Sequence, residues 1–130
     1  MIEWFVRFAA GGNIEPEIIP VTIADTDALL NFLYQQIGCR SVETVRFGRG
    51  GSVLVVDEEG LLKDDPVPNI VGCALYPGYI VGNLILCEEG TRNGEPDIVG
   101  FPTMIEAHAA AQAAKTVAQL KMMHDYPDPE

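Results

Sequence analysis

Residues Val53 to Cys87 read VLVVDEEGLLKDDPVPNIVGCALYPGYIVGNLILC, and the fold turns on this stretch. It opens with four consecutive apolar residues, Val53-Leu54-Val55-Val56. A β-strand shows alternate side chains to opposite faces, so an all-apolar run predicts a strand covered on both sides and central in its sheet. Asp57-Glu58-Glu59-Gly60 follows as a tight turn, with Gly60 suited to positive φ. Leu61-Leu62-Lys63 reads as a short returning strand. In Asp64-Asp65-Pro66-Val67-Pro68-Asn69 each proline restricts its own φ and its predecessor, which makes a rigid loop. Asn69 is placed to cap a single helical turn through Leu75. Tyr76-Pro77-Gly78 carries a type II turn signature with glycine at positive φ. Tyr79 to Cys87 is the next strand, and Gly82 marks a bulge or a close backbone approach.

On the N-terminal side, Ile2, Trp4, Val6 and Phe8 alternate with Glu3, Phe5 and Arg7, the period of a half-buried strand. A turn at Gly11-Gly12-Asn13 leads to an extended run over Glu17 to Ile23. Pro16 and Pro20 cannot donate to a ladder, so this strand belongs at an edge. Asp25-Thr26-Asp27 offers N-cap oxygens for a helix from about Thr26 to Ile37. Its apolar stripe is Leu29, Leu30, Leu33 and Ile37, and Gly38 is the natural C-cap. Ser41 to Phe47 reads as a strand joined through Gly48–Ser52 to Val53, a hairpin.

On the C-terminal side, Glu88 to Asp97 reads as a polar loop with Asn93-Gly94 as a hairpin tip. Thr103 is the candidate N-cap of a long helix, with Glu106 at the capping-box position. Ile105, Ala109, Ala113, Val117 and Leu120 share one stripe, expected to pack on the sheet, with self-association as the alternative use of an alanine-rich face. The sum is an α+β fold, a mostly antiparallel sheet of about five strands with two helices, the longer one C-terminal. The expected organisation is a single domain over 1–124, with a core over about 1–98, an added helix over about 103–124, and a frayed tail at 125–130.

Composition narrows the function classes. The chain has 130 residues, 48% of them hydrophobic, enough for one real core. No apolar run approaches the roughly 18 residues of a membrane span, and MIEWFVRFAA lacks the basic start of a signal peptide. The net charge of −11 argues against direct nucleic-acid binding. Cys39, Cys73 and Cys87 are odd in number and suit a reducing cytoplasm. With His108 and His124 they show no metal-ligand spacing, and no cofactor is implied.

Catalytic patterns are weak. Glu58/Glu59, Asp64/Asp65 and Glu88/Glu89 are adjacent pairs in turns, where solvated charge is the default. Neither histidine has an evident nucleophile to activate. There is no Walker A loop and no GxGxxG opening a helix. One local signal stands out in so acidic a chain. Arg40, Arg46 and Arg49 fall within ten residues, beside Gly50 and Gly51, whose backbone N–H groups and neighbouring guanidiniums could cradle an anion such as a nucleotide phosphate. A plain hairpin turn is the commoner use of such glycines. Tyr76, Tyr79, Pro66 and Pro68 could line a groove.

The run Asp57-Glu58-Glu59-Gly60, then Leu62-Lys63, Pro66, Pro68-Asn69, Leu75, Gly78 and Ile80-Val81-Gly82 resembles a family of small bacterial and phage proteins catalogued only as a domain of unknown function. The resemblance covers roughly Val53 to Leu86. Tyr79 departs from the acidic residue that often follows the glycine, and Asn83 from the usual proline. The helix after Thr103 looks like an addition to the short form. The resemblance implies a cytosolic phage, plasmid or actinobacterial accessory protein, and it singles out Lys63 and Asn69.

Three expectations follow. The first is a non-catalytic binding module, with an anionic ligand as the subtype, held by Arg40, Arg46, Arg49, Gly50, Gly51, Lys63, Asn69 and Tyr79. The second is an acidic protein-binding or DNA-mimic protein, and the third a small enzyme of unrecognised type. A homodimer is compatible with all three.

Overall fold

The computed structural model describes residues 1–48 and 50–125. Arg49, the side chains of His124 and Asp125, and the tail beyond residue 125 lie outside the described residues. The chain forms β1 (Glu3–Phe8), β2 (Glu17–Val21), α1 (Thr26–Ile37), β3 (Val42–Arg46), β4 (Ser52–Asp57), a 3-10 turn (Gly60–Leu62), α2 (Ile70–Leu75), β5 (Leu84–Arg92), β6 (Glu95–Val99) and α3 (Met104–Asp125). The fold is α+β, with six strands where about five were expected and a short helix at Ile70–Leu75 besides the two long ones.

Every strand pairing is antiparallel. The order is β2-β1-β5-β4-β3, with β6 also paired to β5. β2 stands at an edge, where Pro20 loses nothing by having no N–H to donate. β5 has the nine residues that the sequence suggests but is shifted along the chain, starting at Leu84. Glu88–Arg92, read as loop, continues the strand and returns through Asn93-Gly94 into β6. Both turn residues have positive φ, 52° and 81°, the backbone of a two-residue hairpin turn.

Alternation along the central strands divides the core in two. Val53, Val55, Ile85, Cys87 and Phe5 face α1, where they meet Leu29, Leu33 and Ile37. Leu54, Val56, Leu84, Leu86, Val6 and Phe8 face the other way, toward α2 and α3. The sheet is therefore covered on both sides. β1 is accordingly not half-buried, since Phe5, Val6 and Phe8 are all sealed from solvent.

α1 has the expected limits. The Asp25 carboxylate accepts from Ala28 N at 2.8 Å, and Gly38 ends the helix at φ 79°. α3 is capped by Thr103, whose hydroxyl accepts from Glu106 N at 3.1 Å. Its buried face differs from the expected one. Ala107, Ala111, Ala114 and Ala118 are sealed inside, whereas Ile105, Ala109, Ala113, Val117 and Leu120 face solvent. The reason is steric: α3 packs closely on α2 and β1, and methyl side chains permit the approach that Ile or Leu would block.

Three local expectations fail for related reasons. Leu61-Leu62 forms a 3-10 turn and no strand, because Leu62 N bonds Glu59 O and Lys63 N bonds Gly60 O, curling the chain out of the sheet. Gly60 and Gly78 do not have positive φ. Each is required for space: a Cβ on Gly60 would lie 2.7 Å from Val81 Cγ2, and one on Gly78 would lie 2.4 Å from the Tyr76 ring. No helix among the described residues is long and apolar enough to cross a membrane.

Candidate functional site

A cleft of about 480 Å³ opens where the C-terminal end of α1 meets the end of β4. Its polar wall comes from two separated segments, residues 34–40 and 57–63. Asp57, the last residue of β4, is buried. One carboxylate oxygen accepts from Glu59 N at 2.9 Å, and the other accepts from Lys63 Nζ at 2.6 Å. Lys63 Nζ also reaches Gly38 O at 3.4 Å, at the negative end of the α1 dipole. Glu59 accepts from the Ser41 hydroxyl at 3.2 Å and stands 3.6 Å from the Arg40 guanidinium. Tyr34, Cys39 and Leu62 complete the lining. On the far side of the Asp57–Lys63 pair lies a smaller hollow of about 190 Å³, bounded by Pro66, Val81 and Asn83.

The proton affinities in the cleft point one way. The hydrogen bond to Asp57 raises Lys63 above the ordinary lysine range against a smaller opposing effect of burial. Burial, then the Asp57 charge, raises the Cys39 thiol. Neither group is shifted toward its deprotonated, nucleophilic form.

The rim of the cleft is built from the 3-10 turn. Gly60 is wedged against Val81, and the bond from Glu59 N to Asp57 pins the start of the turn. Leu61 and Leu62 then have no route into the core, and stand 59% and 82% exposed. Glu58 precedes them and Asp64-Asp65 follow, all exposed.

The residues singled out by sequence do not converge on one place. Arg40 and Lys63 share the cleft. Arg46 lies at the other end of β3, roughly 20 Å away at a rise of 3.3 Å per residue. There it grips Glu89 through two bonds of 2.6 and 2.8 Å, which raise its already high pKa. Gly50 and Gly51 are exposed in the β3–β4 loop, and the Gly51 carbonyl accepts from Glu89 N. Tyr79 is exposed on the loop before β5, whereas the Tyr76 side chain packs against the α2–α3 core. Pro66 and Pro68 border different hollows, so these four residues do not form one groove.

Asn69 is fully buried and fully engaged. Its carbonyl oxygen accepts from Gly72 N at 3.0 Å, capping α2, and its amide donates to Phe8 O and Gly82 O at 3.1 and 2.9 Å. Pro68 bridges Val81, and Gly82 N donates to Val67 O. Most of the segment carrying the family resemblance is therefore a knot tying the loop before α2 to the approach to β5, and chemistry is left to Asp57, Glu59 and Lys63.

Sequence reading missed Asp57, Glu59, Cys39 and Tyr34 as cleft residues. A carboxylate directly after four buried residues was the available signal for Asp57. It also missed Arg92, which is buried and donates to Glu3 at 2.7 and 2.8 Å, to Asp97 at 3.1 Å, and to the carbonyls of Ile23 and Ile98. That network locks β5, β6 and β1 together. His108 is exposed on α3. Among the described residues no group of three or more His, Cys, Asp or Glu could hold a metal ion.

Residues 11–106 match the family described as Domain of unknown function (DUF3846). The match spans well over half of the chain, from the loop after β1 into the first turn of α3. The chain belongs to this family. No curated protein and no solved structure matches it.

Proposed function

We propose that the chain is a non-catalytic interaction module, of phage or mobile-element accessory type, that binds a basic segment of a protein partner at the cleft rim. The observation that carries this reading is the pair Leu61-Leu62, held in solvent by a hydrogen-bonded turn between Glu58 and Asp64-Asp65. Exposed apolar side chains on a fixed turn lose little entropy on binding and make good anchors. Electrostatics support a cationic partner. Arg7, Arg40, Arg46, Lys63, Arg92 and Lys115 are each paired with a carboxylate of the same chain. These are six of only eight basic residues, so the field presented outward is that of the excess Asp and Glu. The protonated Lys63 and Cys39 support binding over catalysis, and three unpaired thiols suit the cytoplasm.

Pull-downs from host lysate with the wild-type chain and with Leu61→Ser/Leu62→Ser test this reading. The wild type should retain a partner that the double variant loses and that rising salt releases. Equal capture by both chains would sink it. Displacement of that partner by DNA would specify the DNA-mimic form. A thermal shift on adding nucleotides, abolished by Arg40→Ala, would move the assignment to a small anionic ligand.

A further inference from the structure

The face of α3 turned away from the core carries most of the exposed apolar side chains of the helix, with exposed Glu106 and Thr116 set among them. Ile105 is 78% exposed, Leu120 60% and Met123 71%, and exposed Ala109, Ala113 and Val117 lie among them. At 3.6 residues per turn these positions fall within about 120° of arc, a stripe roughly 27 Å long. Glu106, exposed, falls inside this arc between Ala113 and Val117, and exposed Lys121 lies about 40° beyond Val117 on the same side. On the other flank, Lys115 is tied to Glu15 at 2.6 Å.

We propose that this stripe joins two copies of the chain, with their α3 helices antiparallel about a two-fold axis beside Ala113. The charges of Glu106 and Lys121 choose both the occupant and its direction. Glu106 and Lys121 lie about two turns on either side of Ala113, so the stripe is complementary to itself. A two-fold interface requires that residue i meet j and j meet i. Antiparallel helices bring the same flank of each together, so Glu106 of each copy meets Lys121 of the other. Parallel helices about a two-fold axis would face Glu106 with Glu106 near the middle of the contact and carry the two Lys121 to opposite sides of the pair. The same register sets Ala109 opposite Val117 of the second copy, and Ile105 opposite its Leu120. The small side chain of Ala113 at the crossing permits close approach of the two helices. A contact along one helix is smaller than the standard interface of about 800 Å² per partner, so association should be sought up to high concentration.

Sedimentation equilibrium of the full chain over a concentration series tests the proposal. The mass should rise from that of one chain to that of two, and Leu120→Glu should weaken association by about tenfold or more. Glu106→Lys and Lys121→Glu should each weaken it several-fold, and the double swap should restore it. Ala113→Cys should crosslink to itself on oxidation, and adding Leu120→Glu should abolish that crosslink. A chain that stays monomeric to about 1 mM would overturn the proposal, leaving the stripe for another partner. So would a double swap no better than either single change.

Discussion

The two long helices cover opposite faces of one sheet by opposite means. α1 buries its large side chains, Leu29, Leu33 and Ile37, against Val53, Val55 and Ile85. α3 buries methyl groups, Ala107, Ala111, Ala114 and Ala118, and leaves Ile105, Leu120 and Met123 outside. Hydrophobicity alone would have turned α3 the other way. What decides its orientation is the space left between α2 and β1, which only small side chains fit. An amphipathic pattern thus says that a helix has a buried side, and the room beneath it says which side that is.

The contrast can be broken from either end. Leu33→Ala removes a large buried side chain under α1 and should cost about 2–5 kcal/mol, read from chemical denaturation. Ala111→Leu forces bulk into the close contact of α3 and should cost about 1–3 kcal/mol, although the change is toward a more apolar residue. A gain in stability there would mean that α3 has room beneath it after all. The third test uses Cys87, sealed on the α1 side. Burial pushes its thiol far above the ordinary value of 9.0. The unfolded chain therefore ionises first, and the stability contributed by the neutral buried thiol is present below pH 9 and falls as pH rises beyond it. The slope from this one group approaches about 1.4 kcal/mol per pH unit, and Cys87→Val should remove it from the pH profile of unfolding.

Much of the fold was legible because its signals are local. Asp25, Gly38, Asn69 and Thr103 act within a turn of their helices, and Asn93-Gly94 acts within one hairpin. Val53-Leu54-Val55-Val56 announced its two covered faces without help from other segments. The errors arise where distant segments decide. Glu88–Arg92 looks like loop because it is polar, yet β6 completes its ladder and Arg92 is satisfied by Glu3, far away in the chain. Gly60 and Gly78 were read for backbone freedom, whereas the side chains of Val81 and Tyr76 demand their smallness. Of the cleft residues, the sequence singles out Lys63 and Arg40, each on separate grounds and not as neighbours. Their partners Asp57 and Glu59 are not singled out, since nothing local shows that the turn after β4 folds back beside the end of α1. The arginines clustered in sequence illustrate the same point, because β3 carries Arg40 and Arg46 to opposite ends.

The strand order also carries a consequence for how the chain assembles. β1–β2 and β3–β4 are hairpins of neighbouring segments, each able to form early. In the finished sheet they are separated by β5, which is made after all four. Until residues 84–92 leave the ribosome, each hairpin has an inner edge with open hydrogen-bonding groups and nothing to occupy it. Joining the sheet therefore waits on β5, a central strand that must pair with both hairpins before β6 and α3 can be added. That late, long-range step is the interval in which the nascent chain is most open to mispairing with another copy.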